Sequence, residues 1–369
     1  MNFRTPVPRS DAALDVESVA GRIAEIQRSD GEIPWHPGGK TDPWDHVEAA
    51  MGLTVAGLLA EARRAYRWLA ARQNTDGSWF SAYRQGRPVD RTRESHLAAY
   101  LAVGVFHYHR VTGDRRFLEE MWPSAARAVD FALGLQTPGG EIHWARSPRG
   151  DVDPMALLTG SSSVFMSLKC AIAVSQCLGV CKPDWHRGYE RLAHAIGNRP
   201  QHFNMAKARF SMDWFYPVLC GAIRGERAQR RIDRQWKKFV INGQGVRCVS
   251  DQPWITLAET AELVLTLAAM GNRDQARTVF SWMADKRNEN GTYWCGYTYP
   301  DMTIWPEEET TWTDAAVLLA ADALYGLTPA ADLFDHAFWN RQDVFARIGR
   351  APQPENKGRP CVGTTDPTG

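Results

Sequence analysis

The sequence lacks the patterns that would assign it most directly. Its seven cysteines include no Cys-x-x-Cys pair and no His/Cys ligand spacing, so no zinc site is expected. We find no run of the ~20 apolar residues that a membrane span needs. The start, Met1-Asn2-Phe3-Arg4-Thr5-Pro6, lacks the apolar stretch of a secretory signal. A net charge of +1 gives no electrostatic argument for nucleic acid or an anionic membrane. We therefore expect a cytoplasmic protein.

Tryptophan is abundant, and its positions mark a repeat. Six loops rich in tryptophan and acidic residues recur along the chain, and an apolar, Ala-rich helix follows most of them. These loops are 30–35, 76–79, 140–144, 210–214, 250–254 and 290–294. A repeated unit of this kind indicates an array of helical hairpins whose inserted loops gather on one face.

The helices between these loops are of two kinds. Segments that are apolar on every side must be buried, and they are predicted at 44–56, 94–112, 160–179, 212–223, 255–270 and 310–324. Amphipathic partners are predicted at 58–72, 115–135, 184–197, 226–240 and 273–286, with helix 11–27 or the segment 330–347 completing the last pair. Two concentric rings require this alternation, so we predict an all-α fold, an (α/α)6 toroid with its cleft on the loop face.

The expected domain organisation is simple. Residues 1–348 are predicted to form a single toroidal catalytic domain, without long strands. Residues 349–369 are polar and rich in proline and glycine, a composition typical of a disordered tail.

The densest group of acids is Asp42, Asp45 and Glu48, at the start of a predicted inner helix. Asp42 followed by Pro43 is explained by helix capping alone. Asp45 and Glu48 lie three residues apart, on one face of the helix. Because capping requires only one acid, at least one of the others is predicted to face the cleft.

Glu259 and Glu262 form a second group on a helix that otherwise consists of Leu, Ala, Thr and Val. A carboxylate on so apolar a helix is costly unless it is paired or lines a wet cavity. Burial would raise its pKa, as a general acid requires. Structural pairing with an arginine is the alternative explanation.

Two further acids and several tryptophans are candidates for substrate binding. Asp213 and Glu308 lie near starts of predicted inner helices. For Glu308 the helix dipole alone also explains an acid. Flat indole faces suit the C–H-rich faces of sugars, and also polyprenyl chains and carbocations. The tryptophans predicted to line the cleft are Trp44, Trp79, Trp214 and Trp305.

Carboxylates that converge across an aromatic cleft, without a metal motif, fit glycoside hydrolysis. One acid protonates the leaving oxygen while another activates water or attacks the anomeric carbon. Acids from distant parts of a toroid favour the inverting arrangement, in which the two carboxyls lie about 6.5–9.5 Å apart.

The segments 41–53 and Gln73-Asn74-Thr75-Asp76-Gly77-Ser78-Trp79 resemble two overlapping groups. The second motif is similar to repeats of squalene/terpene cyclases and prenyltransferase subunits. The six hairpins with acids on the loop face resemble the six-hairpin glycosidases, and among these the mycobacterial methylmannose polysaccharide hydrolases, which are intracellular α-(1→4)-endomannosidases. The cyclase pattern is incomplete, because the chain has no Asp-Asp pair and no Asp-x-Cys pair.

We therefore predict a glycoside hydrolase with Asp45 and Glu262 as its catalytic pair. Glu262 is assigned as the acid because of its apolar surroundings and Asp45 as the base, although the reverse assignment stays open. The residues predicted to bind hydroxyls or sugar rings are Asp42, Trp44, Glu48, Trp79, Asp213, Trp214, Glu259, Trp305 and Glu308. The resemblance implies an endo-acting α-(1→4)-mannosidase that acts on (methyl)mannose polysaccharide.

The expected partner is a polysaccharide or oligosaccharide, with no metal or other cofactor, no nucleic acid and no membrane insertion. Two alternatives stay open at this point. A terpene cyclase or prenyltransferase-like enzyme would have a closed apolar cavity and metal-dependent diphosphate chemistry. A non-catalytic carbohydrate-binding toroid would bind without turnover.

Overall fold

The computed structural model describes residues 15–340, which are mainly helical. Their helices are α1 Val16–Ile26, α2 Pro43–Val55, α3 Leu59–Ala70, α4 Ser95–Ala99, α5 Leu101–Thr112, α6 Arg115–Leu133, α7 Leu158–Cys177, α8 Pro183–Asn198, α9 Ser211–Leu219, α10 Gly225–Phe239, α11 Leu257–Ala269, α12 Arg273–Ser281, α13 Thr311–Tyr325 and α14 His336–Asn340. Two short 3₁₀ helices, Pro200–His202 and Met205–Arg209, precede α9. The segment predicted as a tail, 349–369, lies outside the described residues.

Six of these helices pack in a closed cycle. Helix α2 contacts α5, α5 contacts α7, α7 contacts α9, α9 contacts α11, α11 contacts α13, and α13 returns to α2. Each has an outer partner, in the order α3, α6, α8, α10, α12 and, for α13, α1. The first helix therefore completes the last pair. Helices are confirmed at the predicted positions, with boundaries shifted by a few residues, except that the segment predicted as one helix, 94–112, forms two, α4 and α5.

The hydrophobic pattern explains which helices are inner. In α11 every residue is buried, and α2 and α13 are buried almost throughout, as expected of helices that are apolar on all sides. The partner α10 buries only Ala228, Ile232 and Phe239. Helix α7 has 20 residues, and an 18-residue window within it has a mean hydropathy of 1.2, enough to cross a membrane by length and composition. The expectation that no run reaches this length was wrong, but 89% of the apolar window is buried inside the protein, as in a core helix.

Three of the repeated loops turn in the same way. At Gly31, Gly77 and Gly140 φ is +102°, +91° and +100°, a conformation that L side chains rarely adopt. A Cβ at each would lie 2.4 Å or less from a carbonyl oxygen of the neighbouring outer helix. A glutamine four residues earlier donates to the glycine carbonyl and to a carbonyl of that helix; these are Gln27, Gln73 and Gln136. The repeat thus encodes the attachment of each loop to an outer helix.

Short strands occupy the segments that lead into inner helices, so the fold is mainly helical, as predicted, but not purely α. They are β1 Ala82–Arg84, β2 Arg87–Asp90, β3 Arg93–Glu94, β4 His143–Arg146, β5 Val152–Ala156, β6 Val240–Ile241, β7 Gly245–Arg247, β8 Trp254–Thr256 and β9 Gly296–Thr298. They form three antiparallel sheets, in the orders β1-β2, β3-β4-β5 and β6-β7-β8-β9. Strand β8 leads directly into α11, whose N-cap is Thr256.

Candidate active site

Asp42 is engaged by the backbone and by a neighbouring indole. Its Oδ1 accepts a hydrogen bond from the Asp45 amide at 3.0 Å, which caps α2. Its Oδ2 accepts from Trp35 Nε1 at 2.6 Å. The capping explanation of Asp42 is confirmed, and Pro43 occupies the first helical turn, where a missing amide proton costs nothing. Both carboxylate oxygens therefore have partners in the free protein.

Asp45 lies half-buried in the first turn of α2. Burial raises the pKa of its carboxyl well above the usual value, and the negative charges of Asp42 and Glu48 raise it further. The ammonium group of Lys40 acts in the opposite direction. Three acids within two turns therefore disfavour full ionisation of the group, because like charges at short distance repel.

Glu48 lies one turn deeper in α2 and is 5% exposed. Burial raises the pKa of Glu48 to about 7, against the effect of hydrogen bonds from Tyr100 and Trp44. The Tyr100 hydroxyl donates to Glu48 Oε1 at 3.0 Å. The ring of Trp44 stacks on Tyr100 at a centroid distance of 4.7 Å.

Helix α11 supplies the second group of carboxylates, and no arginine pairs with either of them among the described residues. Glu259 and Glu262 are 6% and 4% exposed. Tyr216 donates its hydroxyl to Glu262 Oε1 at 2.5 Å. Within residues 15–340, Oε2 of each glutamate is buried without a hydrogen-bond partner. Burial raises the pKa of Glu262 well above its usual value, and the charges of Glu48 and Glu259 add to the rise.

Aromatic rings connect the two groups. The Trp44 ring contacts both tyrosines, Tyr100 at 4.7 Å and Tyr216 at 5.7 Å between centroids. Each tyrosine holds one carboxylate, Glu48 and Glu262 respectively. Because Glu48 also acts on the pKa of Glu262, carboxylates from α2 and α11 share one largely buried aromatic site. Such a site can keep one carboxylic acid protonated near neutral pH.

The sequence analysis missed the two tyrosines and a Glu94–His96 pair. Glu94 Oε2 lies 3.4 Å from His96 Nε2, and the His96 ring meets Trp44 edge-on at 5.4 Å. Burial raises the pKa of Glu94 to about 7 and lowers the pKa of His96 to about 4. Glu94 is flanked by Arg93 in the sequence and lies on the short strand β3, near enough to Asp42 for that charge to contribute to its raised pKa.

The prediction that Trp79 and Trp214 bind sugar rings was wrong. Trp79 and Trp214 are each 1% exposed. The indole of Trp79 donates to the Leu69 carbonyl at 2.8 Å, and that of Trp214 to the Arg231 carbonyl at 3.0 Å. Both rings attach loops or inner helices to outer helices, so neither presents a face to a ligand.

The other predicted binding residues differ in their environment. Asp213 is buried and accepts hydrogen bonds from the amide and hydroxyl of Thr159, in the first turn of α7. Trp305 is 58% exposed and meets Trp254 edge-to-face at 5.1 Å. Glu308 is exposed on the same connection into α13. The structure therefore assigns a structural contact to Asp213 and leaves Trp305 and Glu308 open to solvent.

Comparison with solved structures identifies the class of fold. A glycosidase in complex with glucose superposes with a TM-score of 0.66 at 16% identity, over 85% of this chain and 96% of that chain. A D-mannose isomerase superposes with a TM-score of 0.61 at 13% identity, over 87% and 99%. Enzymes acting on sugars by different chemistry thus share the architecture. Buried carboxylates from two helices at an aromatic centre indicate a glycoside hydrolase.

Sequence comparison then identifies the family. The MMP endo-(1,4)-3-O-methyl-alpha-D-mannosidase of Mycolicibacterium hassiacum is 51% identical over 315 residues, which cover 85% of this chain and 87% of that enzyme. The chain belongs to the family of this endomannosidase and is a glycoside hydrolase. An uncharacterized glycosyl hydrolase of Methanocaldococcus jannaschii is 27% identical over 158 residues, 41% of this chain and 24% of that protein. No family model matches the chain.

Proposed function

We propose that this protein is an endo-acting α-(1→4)-mannosidase that hydrolyses a 3-O-methylated mannose polysaccharide. The observation that carries the proposal is the 51% identity, over most of both chains, to the enzyme named for that activity. The carboxylates of α2 and α11 supply the chemistry that such a reaction needs, an acid for the leaving oxygen and a base for water.

Glu262 is the proposed general acid. Its carboxyl is 4% exposed, and burial raises its pKa well above the usual value, a shift that favours the protonated form a general acid needs. Tyr216 holds one oxygen, and the other has no protein partner within residues 15–340. That second oxygen is the one from which a proton would pass to the glycosidic oxygen.

Asp45 is the proposed general base. It is the more exposed of the two carboxyls, and it lies beside Asp42, whose oxygens are already occupied. Burial, Asp42 and Glu48 raise its pKa well above the usual value, as a base that must take up a proton requires, and Lys40 offsets part of that rise. Since Asp45 and Glu262 come from different helices of the cycle, we propose an inverting reaction in which water enters between them, a geometry that needs about 6.5–9.5 Å between carboxyls.

The remaining proposed roles concern binding and architecture. Glu48, Glu259 and Trp44 would contact the sugar at the cleaved bond, and Trp305 and Glu308 would contact sugars farther along the chain. We also propose that the six inner and six outer helices form an (α/α)6 toroid, which the closed cycle of helix contacts supports.

The test is hydrolysis of defined glycans followed by mass spectrometry. Methylated α-(1→4)-mannan, unmethylated α-mannans and α-glucans are each incubated with the wild type, Glu262→Gln and Asp45→Asn. Internal cleavage of the methylated mannan, reduced by about 10²-fold or more in both variants, is the expected result. Asp322→Asn is the matched control, because Asp322 is buried in α13 but is held by Thr328 near the opposite helix end.

Proton NMR of the first product gives the anomeric configuration. Initial release of the inverted anomer supports the water-mediated reaction, and release of the retained anomer would overturn it. Cleavage confined to chain ends would contradict the endo-acting proposal, and absence of cleavage of every mannan would contradict the substrate.

A further inference from the structure

Exposed apolar side chains are concentrated on the connections that lead from an outer helix into the next inner helix. Within residues 15–340, six large hydrophobic side chains are exposed: Val89, Val152, Met205, Met302, Trp305 and Tyr325. The first five lie on segments that run from an outer helix into the next inner helix, whereas Tyr325 ends α13 at the opposite side. We call these five residues the apolar rim. Scattered exposed apolar residues are normal. Here, however, five of the six lie on the same kind of connection, and chance exposure does not explain that regularity.

Trp305 is the largest member of the rim and is held in place. Trp254 Nε1 donates to the Trp305 carbonyl at 2.7 Å, and the two indoles meet edge-to-face. The Trp305 amide donates to the Gly296 carbonyl at 3.0 Å. A ring that is 58% exposed but anchored through its backbone and its neighbour loses little freedom when a ligand packs on it.

Two of the segments that carry the rim are connected to the candidate active site through short strands. On one side, Trp254 begins β8, which runs into α11 and its carboxylates. On the other side, Val89 lies on β2, whose partner strand contains Tyr83, and Tyr83 pairs with Thr41 immediately before Asp42. A chain that crosses the site between α2 and α11 would therefore meet rim residues at both ends.

Two further rim residues, Met205 and Val152, lie on segments that are joined by a hydrogen bond. Met205 begins the 3₁₀ helix before α9, and the preceding Asn204 amide donates to the Ala156 carbonyl of β5. Val152 begins that same strand. The exposed apolar side chains thus occur on segments that neighbour one another in space, between α7 and α9.

We propose that the apolar rim binds the O-methyl groups of a methylated α-mannan on both sides of the cleaved bond. This inference rests on the proposed function and specifies which part of the protein distinguishes methylated from unmethylated chains. A methyl ether has lost the hydroxyl donor and gained apolar area, so exposed Met, Val and Trp side chains suit it better than hydrogen-bonding groups do. Because the rim lies outside the buried carboxylates, it discriminates through binding and not through the chemical step.

The experiment compares methylated and unmethylated α-(1→4)-mannan chains of equal length as substrates for wild type, Trp305→Ala and Tyr325→Ala. In Trp305→Ala the KM for the methylated chain should rise about tenfold, the size of one lost aromatic contact. The KM for the unmethylated chain should rise by about twofold or less. Tyr325→Ala, a similarly exposed aromatic side chain on the opposite side, should change neither value.

Equal losses for both chains, or no loss in Trp305→Ala, would overturn the inference while leaving the proposed function intact. Sedimentation of wild type and Trp305→Ala at equal concentration provides a second readout. A wild-type dimer that Trp305→Ala dissociates would overturn it as well, since the rim would then pair with a second copy.

Direct binding measurements distinguish a failure of the proposed function from a failure of the proposal about the apolar rim. Calorimetry with the wild type measures affinity for the methylated oligosaccharide whether or not turnover occurs. If no mannan is cleaved, the proposed function fails. A preference for the methylated chain that Trp305→Ala abolishes would then still support the rim, and equal affinity for both chains would overturn it.

Discussion

The hydroxyl of Tyr216 donates to Glu262 Oε1 at 2.5 Å, while Oε2 of the same carboxyl is buried with no hydrogen-bond partner among the described residues. One oxygen is thus held and the other is left for a ligand. Trp44 contacts the Tyr216 ring, so the orientation of the acid depends on side chains from α2, α9 and α11. The pH dependence of hydrolysis should report this arrangement.

Tyr216→Phe should lower kcat/KM and move the alkaline limb of the pH profile upward. The hydrogen bond from Tyr216 lowers the pKa of Glu262, so its loss raises that pKa. The proposed acid must be protonated, and activity is lost as pH rises through its pKa. We expect a fall of about 10- to 100-fold near neutral pH, less than a full general acid contributes. The measurement is kcat/KM against pH, with Tyr66→Phe as the control, since Tyr66 is buried and donates to the Gly104 carbonyl elsewhere.

Glu48→Gln should move the alkaline limb of the pH profile to lower pH. The pKa of Glu48 is about 7, so above neutral pH its charge opposes ionisation of Glu262. Removing that charge lets Glu262 lose its proton at lower pH, and the alkaline limb should move downward. An unchanged limb in this variant would show that Glu48 and Glu262 do not interact during turnover.

Gly77→Ala should strongly destabilise the fold. Gly77 has φ +91°, and a Cβ there would lie 2.2 Å from the Arg127 carbonyl oxygen, so either the loop or α6 must move. We expect a loss of roughly 3 kcal/mol or more in the free energy of unfolding, measured by urea denaturation. Gly57→Ala is the matched control, because φ is +79° there but nothing lies within 4 Å of a Cβ. It should cost only about 1–2 kcal/mol.

Much of the architecture follows from local pattern. The all-apolar helices and the Asp42 cap are decided by residues within one or two turns, so a single sequence is sufficient to predict them. The short strands are different, because β8 exists only through its pairing with β7 and β9. Segments of two to five residues carry no periodicity that would indicate them.

The site was predicted only in part, for a related reason. Tyr100 and Tyr216 reach their carboxylates across 52 and 46 residues of sequence, and nothing local distinguishes them from core tyrosines. Trp214 and Trp305 both lie beside predicted inner helices, yet one is 1% and the other 58% exposed. Whether such a ring is buried or exposed depends on its contacts with the neighbouring outer helix. The sequence of the loop alone does not specify those contacts.

Trp214→Ala should therefore destabilise the fold far more than Trp305→Ala does. Trp214 stacks on Phe239 at 5.2 Å and is fully buried, so its truncation should cost about 3–5 kcal/mol. Trp305→Ala should change the free energy of unfolding by about 0.5 kcal/mol or less, as exposed positions usually do. Urea denaturation of both variants checks the contrast, and a large loss in Trp305→Ala would show that the ring serves the fold.

Asp314 makes the stability of the protein depend on pH. Burial raises the pKa of this carboxyl to about 8, against the effects of the Tyr293 amide, Arg22 and Arg287. The folded protein therefore holds a proton that the unfolded chain releases near its ordinary pKa of about 4. The stabilisation from that proton is complete below the unfolded pKa and is lost as pH rises towards 8, by up to about 1.4 kcal/mol per unit.

Asp314→Asn should remove this dependence, because the amide keeps an oxygen for the Tyr293 N–H, which donates at 2.9 Å, and cannot ionise. We expect the variant to be more stable than wild type at pH 8 by on the order of 2 kcal/mol, with a smaller difference at pH 5. Urea denaturation at both pH values measures the two differences. Asp184→Asn is the control, since the Asp184 side chain is 80% exposed and should give the same small difference at both. If the Asp314→Asn difference is equally independent of pH, the carboxylate is charged in the folded protein and its burial is compensated by Arg22 and Arg287.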